Sequence, residues 1–581
     1  MKIKKQYLHI LIIILICTII YSNTFLNGFV FDDQFFIVDN FKIRSLKNIP
    51  SYFSEPSVGN LYRPLRSVLY SVTFFFWKFN AAGYHLNAIM LHAIISILVY
   101  LIILEIAPDK SFSLIASLLF AAHPIHTARV ANMTAGFDLL GILFLFWAFY
   151  SYILFRKHGS RRAFAFSAIL FILGLFSSEE AVVFPILALL YDLCFDIKGF
   201  KIKTRIKYFG IYIAALLSYL IIRFSVLRQI GRAEVYFLGN LQTRILSTMI
   251  IFLRYAYTLI FPLRLTVDYY VKVYESAFSL KIALAILAYL LVIFFWIKSY
   301  RNQKVAFFSV GWFFTALLPF SNIFPVHSFM ADRYLYAASF GFILLSTFLL
   351  AKIPNLNYFN KDFNKGISRG IYTILIVFLI ISYSSITVAR NREWKGDYEL
   401  LSKAVERQPE SSAAHNDLGQ VYQEKGDYNR AFNEYKTAVI LNNKNHVAWL
   451  NLGSLYGEMG NYTGAVYCIN KSLSIYESYK AYNNLGLIYD IMGEQEKAVI
   501  ELKKAIEFNP SLTKAHMDLG IVYAKTGEFD MAFRELNKAL EINPNIADIH
   551  YNLGILYKHL GDKSKAKEEF IIAERLEKGI I

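Results

Sequence analysis

The stretch NDLGQVYQEKGDYNRAF, residues 416–432, sets a pattern that the rest of the chain repeats to its C-terminus. Leu-Gly recurs at 418–419, 452–453, 485–486, 519–520 and 553–554, in steps of 34, 33, 34 and 34. Three residues after each of these glycines stands a tyrosine: Tyr422, Tyr456, Tyr489, Tyr523 and Tyr557. A second glycine follows at Gly426, Gly460, Gly493, Gly527 and Gly561, then an alanine at Ala431, Ala465, Ala498, Ala532 and Ala566. Pro510 and Pro544 close two of the copies. The chemistry of the pattern is that of a helical pair. Small residues let two helices approach closely, the second glycine ends the first helix, and the tyrosine packs between copies.

The unit resembles the tetratricopeptide repeat, and the sequence predicts five of them over 412–581, forming an α-solenoid. Before them, EWKGDYELLSKAVERQP (393–409) reads as a lone second helix of the same motif, within a connecting half-repeat over 393–411. Charge also divides the chain. From Glu393 onward there are 22 Lys+Arg against 27 Asp+Glu, a net of −5, which leaves +22 for residues 1–392.

That first part is a polytopic membrane domain in an all-α chain. Of the 581 residues, 56% are hydrophobic and 17% aromatic. Runs near the ~20 residues needed to span a bilayer begin with LHILIIILICTII. No small-residue cleavage site follows that run, so it is expected to stay as a first span. Further spans are expected near 87–106, 112–122, 136–155, 163–177, 181–197, 208–227, 280–298, 304–323, 334–351 and 370–389, about eleven in all. The positive charge gathers in MKIKK, 156–162, 198–207, 298–304 and 352–369, which the positive-inside rule makes cytoplasmic. It therefore needs no nucleic acid as partner. The segment 246–263 conflicts with this threading and is read as re-entrant or interfacial. Three distant cysteines, Cys17, Cys194 and Cys468, point to no disulfide framework and no metal cluster.

The polar clusters of the membrane half all fall in loops on the other side: Asp32 and Asp33 in FVFDDQFFIVDN, YRPL (62–65), HLNAIMLH (85–92), HPIHT (123–127), Asp138, SSEEAVV (177–183) and HSFMADRYLY (327–336). Carboxylates beside a bilayer are costly and tend to be functional, although Asp32 or Asp33 would also suit a helix cap. Glu179 and Glu180 begin a span, where negative charge favours a helix start. His123 and His126 suit a tight turn around Pro124 better than a zinc site. Arg333 and Arg63 read as interfacial anchors or as phosphate grips.

The order of these motifs, capped by repeats, resembles the transmembrane and tetratricopeptide-repeat-containing O-mannosyltransferase-like family, within the GT-C superfamily of membrane glycosyltransferases. DRYLY and HPIHT are its most distinctive elements here. The resemblance implies a polyprenyl-phosphate-linked sugar as donor, a hexose such as mannose, transferred with inversion to an extracytoplasmic hydroxyl of a protein or peptide acceptor recruited by the repeats. It implies Asp33 or Asp32 as the general base, Asp33 being slightly preferred, with Glu179 orienting the acceptor or the base. Arg333, His327 and Arg63 would stabilise the donor phosphate; His123, His126, Asp138, Glu180, Asp332 and Tyr334 are further site candidates. No metal ligand set is assigned. Relatives often carry an acid directly after His-Thr, an Arg near the next Asp and a Lys before the loop glutamate. Here Ala128, Ala135–Phe137 and Ser178 occupy those places. A multi-pass protein of a bacterial inner membrane is expected, with its N-terminus cytoplasmic. The alternatives are a non-enzymatic scaffold that assembles an envelope complex through its repeats, and a transferase acting on lipid or glycan.

Overall fold

In the computed structural model the chain divides into two compact units, Met1–Arg407 and Gln408–Ile581. The structure describes residues 2–195, 202–228, 240–323, 328–352 and 363–578; residues 198–201 and 353–362 of the basic stretches lie outside them. Among the described residues the secondary structure is helical, apart from an isolated bridge between Ser57 and Leu61. The all-α expectation is borne out.

Among the described residues of the first unit, seven helices are long and apolar enough to cross a membrane: Lys5–Leu26, Ala81–Ile106, Met133–His158, Ile206–Leu227, Leu280–Asn302, Asp332–Leu350 and Gly370–Lys395. An eighth crossing is made if Lys110–Ala122 and Pro124–Val130, bent by 47°, act as one. The bend has a local cause: Pro124 disfavours helical backbone at the residue before it, and His123 is extended at φ −65°, ψ 126°. Three other expected runs form shorter helices, Arg161–Leu175, Phe184–Phe195 and Lys304–Leu317. At 1.5 Å per residue, twelve to fifteen residues reach about 18–22 Å, short of the ~30 Å hydrocarbon layer. The eleven expected runs are thus all helical, with seven or eight of spanning length. The segment 246–263 falls mostly in Leu241–Ile260, which carries Arg244 and Arg254 and is not among them.

Close backbone approach packs this bundle. A Cβ added to Gly341 would lie 2.4 Å from the Ser309 carbonyl oxygen, so Lys304–Leu317 and Leu335–Leu350 meet nearly backbone to backbone. Trp312, fully buried between them, donates to the Ala337 carbonyl at 2.8 Å. At one end of the bundle the first and last long helices are tied by asparagines. Asn391 Nδ2 donates to the Ile20 carbonyl and to Asn23 Oδ1, and Asn27 Nδ2 donates to the Asn391 carbonyl, all at 2.9–3.0 Å.

The second unit consists of helix pairs, from Ser412–Glu424 with Tyr428–Leu441 to Ala547–His559 with Lys563–Glu577. Each Leu-Gly glycine meets a side chain of its pair's second helix. A Cβ at Gly419 would touch the Tyr435 ring at 2.8 Å, and one at Gly520 would touch Leu536 at 2.8 Å. The second glycines, such as Gly426 and Gly527, have φ of +75° and +81°, the left-handed turn that stops the first helix. Tyr456 and Tyr557 pack against Phe432 and Phe533 of the preceding pair, as the pattern predicts. A further regularity recurs in three pairs. His415, His516 and His550 bond Glu434, Glu535 and Glu569 through Nδ1 and the carbonyls of Pro409, Pro510 and Pro544 through Nε2.

Candidate active site

The loop after the first long helix runs beside helix Pro64–Trp77 and the short helix Met133–Phe137. Asp33 is fully buried there. One carboxylate oxygen accepts from the Thr134 N–H at 2.8 Å and the Thr134 hydroxyl at 2.6 Å, and the other accepts from the Val30 N–H at 3.1 Å. Burial pushes its carboxyl up to about 6, against the pull of those donors. Asp32, its neighbour, is half-buried and lies within electrostatic range of the Arg333 guanidinium. The two aspartates have different surroundings: Asp33 pins the loop, and Asp32 is the more accessible.

Beside them is a network of charge. Asp138, where helix Leu139–His158 begins, receives three guanidiniums. Arg63 NH1 and Arg66 NH1 reach Oδ1 at 2.8 and 2.9 Å, and Arg129 NH1 reaches Oδ2 at 3.0 Å. Arg63 also donates from Nε to Glu179 Oε2 at 2.6 Å. Arg129 pairs with Glu180 and donates from Nε to the Arg333 carbonyl at 3.0 Å. Burial opposes the charge on Arg63, but Asp138 and Glu179 outweigh it and hold the guanidinium more firmly protonated than usual. Burial likewise opposes ionisation of Glu179; Arg63 and Arg223 outweigh it, and its carboxyl stays below the ordinary range. Glu180 goes the other way, pushed up by burial despite Arg129. Ser178 packs where the 177–180 turn crosses helix Leu139–His158: a Cβ at Gly141 would lie 2.4 Å from its Cβ.

Arg333 differs from the other arginines of this network. Its guanidinium donates to Ser328 Oγ at 3.0 Å and lies 5.3 Å from the Tyr334 ring centroid. Among the described residues it makes no ion pair with a carboxylate. It therefore keeps donors for an anionic ligand. Tyr334 is stacked on Phe320 at 3.9 Å, and Asp332 accepts from the Tyr269 hydroxyl at 2.5 Å.

Among the candidates named from sequence, the structure brings together Asp32, Asp33, Arg63, Asp138, Glu179, Glu180 and Arg333. His327 lies outside the described residues. His123 and His126 are buried behind the network; His123 bonds the Leu259 carbonyl and the Ile125 N–H, and His126 bonds Ser339. The sequence reading missed Arg66, Arg129 and Thr134. Arg66 follows Arg63 by three residues at a helix start, a spacing that puts both on one face. Arg129 stands in the loop HPIHTARV, three places after His126. Nothing in the sequence marks Thr134. Two motifs are also joined in the core, where His92 Nδ1 and the Tyr336 hydroxyl lie 2.6 Å apart.

Comparison with known proteins adds to this geometry. Residues 67–222 match the family model for dolichyl-phosphate-mannose-protein mannosyltransferase, a range that holds Arg129, Asp138, Glu179 and Glu180. Tetratricopeptide-repeat models match 400–432, 446–479, 479–512 and 547–576, and a TPR-repeat model matches 419–460 and 522–561. The human protein O-mannosyl-transferase TMTC3 is 24% identical over 77% of this chain and 53% of its own length. Human TMTC4, of the same printed description, is 23% identical over 72% of this chain and 64% of its own. Drosophila melanogaster Tmtc1 is 32% identical over 24% of this chain and 17% of its own. The chain thus spans little more than half the length of the first of these relatives. Among solved structures, MamA is 28% identical over 28% of this chain and 95% of its own, with a TM-score of 0.26. The comparisons thus show a segment that matches a mannosyltransferase family model, followed by tetratricopeptide repeats.

Proposed function

We propose that this chain, a multi-pass membrane protein of the transmembrane and tetratricopeptide-repeat O-mannosyltransferase-like type, transfers a sugar, mannose, from a polyprenyl-phosphate donor to an acceptor hydroxyl. Asp32 is the general base. Its carboxylate takes the hydroxyl proton as the acceptor oxygen bonds to the anomeric carbon from the face opposite the phosphate. The bond from that carbon to the phosphate oxygen breaks, the configuration inverts, and polyprenyl phosphate departs as an anion. Arg333 stabilises that leaving group, and a positioned cation in a water-poor site does so strongly. The Arg63, Arg66 and Arg129 network around Asp138 keeps the three loops in register, and Glu179 orients the acceptor.

The observation that carries this reading is a half-buried Asp32 within electrostatic range of an Arg333 that, among the described residues, makes no ion pair, beside a network in which the other cations are bonded to acids. Asp33 is less suited to the base role, because both its oxygens are occupied inside the protein. The basic loops support site loops on the extracytoplasmic side and a cytoplasmic N-terminus, and the membrane of this reading is a bacterial inner membrane. The repeats bind the protein acceptor.

The test is reconstitution of the full chain with polyprenyl-phosphate mannose, together with intact-mass analysis of extracytoplasmic proteins from wild-type and deletion cells. A hexose increment lost on deletion, and lost again with Asp32→Asn in a normally inserted protein, is the expected result. Undiminished transfer by Asp32→Asn would remove it from the base role.

A further inference from the structure

Phe31, directly before Asp32, has φ +53°, a left-handed backbone that a bulky side chain rarely adopts. Strain of this kind persists where the surroundings enforce it. The enforcing contact comes from the far end of the first unit. The Phe31 N–H donates to Asp397 Oδ1 at 2.7 Å, across 366 residues of sequence. Asp397 opens helix Asp397–Arg407, the connector that precedes the repeats.

The connector is firmly seated on the loop. Trp394 and Leu400 are buried against Val30 and Ala131, and Val30 in turn donates its N–H to Asp33. Arg407 grips Glu393 with both terminal nitrogens and donates to the Leu265 carbonyl, while Arg390 bonds the same Glu393. Arg390 and Arg407 also lie within electrostatic range of Asp332, the neighbour of Arg333. One helix therefore bonds the segment with the candidate base and lies within electrostatic range of the segment with the candidate phosphate cation.

We propose that Asp397 is a positioning residue for sugar transfer: by holding the Phe31 N–H it fixes the left-handed turn that aims the Asp32 carboxylate. The site of the membrane domain is then complete only with the connector folded upon it. This rests on Asp32 as the base of the proposed reaction. An acid at the start of a helix also favours its own helix dipole, but that role alone would be indifferent to changes at Phe31.

The test compares Asp397→Ala, Asp397→Asn and the double variant Phe31→Gly with Asp397→Ala in the reconstituted full chain. Asn keeps an acceptor oxygen, and Gly adopts positive φ without strain. Asp397→Ala is expected to lower kcat about tenfold, with KM nearly unchanged. Asp397→Asn should stay close to wild type, and Phe31→Gly should recover most of the loss. Amide exchange over residues 27–34 gives a readout free of activity: it should rise in Asp397→Ala and not in Asp397→Asn. Unchanged exchange and transfer in Asp397→Ala, or a loss that neither Asn nor Phe31→Gly relieves, would overturn the proposal. If exchange responds as expected while the wild-type chain transfers no mannose, the contact stands and the mannosyltransferase reading fails.

Discussion

Arg63 Nε donates to Glu179 Oε2 at 2.6 Å, and the same guanidinium reaches Asp138 at 2.8 Å. One side chain therefore joins three segments that lie 75 and 116 residues apart in sequence. Removing it leaves the buried Asp138 and the half-buried Glu179 short of a partner, the costly way to break an ion pair. Arg63→Ala is expected to lower stability by about 3 kcal/mol, read as a fall in the unfolding temperature in detergent. The double variant Arg63→Met with Glu179→Gln should recover part of it. Unfolding of Arg63→Ala at the wild-type temperature would contradict the bridge.

Arg129 makes a threefold contact, with Asp138, Glu180 and the Arg333 carbonyl. A lysine has one ammonium and cannot occupy three directions at once. Arg129→Lys should insert normally yet transfer sugar at least about tenfold more slowly, equivalent to ~1.4 kcal/mol of transition-state stabilisation. The Arg333 turn then loses its tether. The comparison needs turnover per correctly inserted molecule, and wild-type turnover would show that the tether is dispensable.

Asp33 makes stability depend on pH in a definite direction. Its carboxyl titrates at about 6 in the folded chain, above the ordinary value of 3.8. Its contribution is fully present below about 3.8 and is lost as pH rises through about 6. The wild-type unfolding temperature should fall between those values by more than that of Asp33→Asn, which cannot titrate. Thr134→Val, lacking the hydroxyl that favours the ionised form, should make the fall steeper. Parallel pH profiles for wild type and Asp33→Asn would refute the assignment.

Two glycines of the fourth repeat separate steric from conformational effects. A Cβ at Gly520 would press on Leu536 at 2.8 Å, an overpacking cost of about 1–3 kcal/mol. Gly527 has open space around it but a φ of +81°, so alanine there costs about 1–2 kcal/mol of backbone strain. Limited proteolysis of the full chain should show both Gly520→Ala and Gly527→Ala opening the repeat region. Adding Leu536→Ala should rescue only the first.

The repeat array was legible because its signal is periodic: each glycine answers a local requirement that recurs every 34 residues or so, close approach in one place and positive φ in the other. The apolar runs were legible for a similar reason, though three of them form helices short of spanning length. Motif order drew attention to Asp32, Asp33, Glu179 and Arg333. It carried no sign of which aspartate faces inward, because that depends on Thr134, a residue 101 positions away. Arg66 and Arg129 were missed because a lone arginine in a basic membrane domain looks like a topology signal. The role of Asp397 was invisible for the same long-range reason: its acceptor oxygen meets an N–H from the opposite end of the unit.

The knot of Asn23, Asn27 and Asn391, with Asp397 just beyond it, also has a consequence in time. Residues 23–33 leave the ribosome early, but their partners are made some 366 residues later. At roughly 5–20 residues per second this interval is roughly 20–70 s. Throughout it the loop bearing Asp32 has no connector to hold it, and the intervening helices are made before the Phe31 N–H gains its partner. The loop is therefore completed only once the residues just beyond the last long helix have been made, so its closure is timed by translation itself.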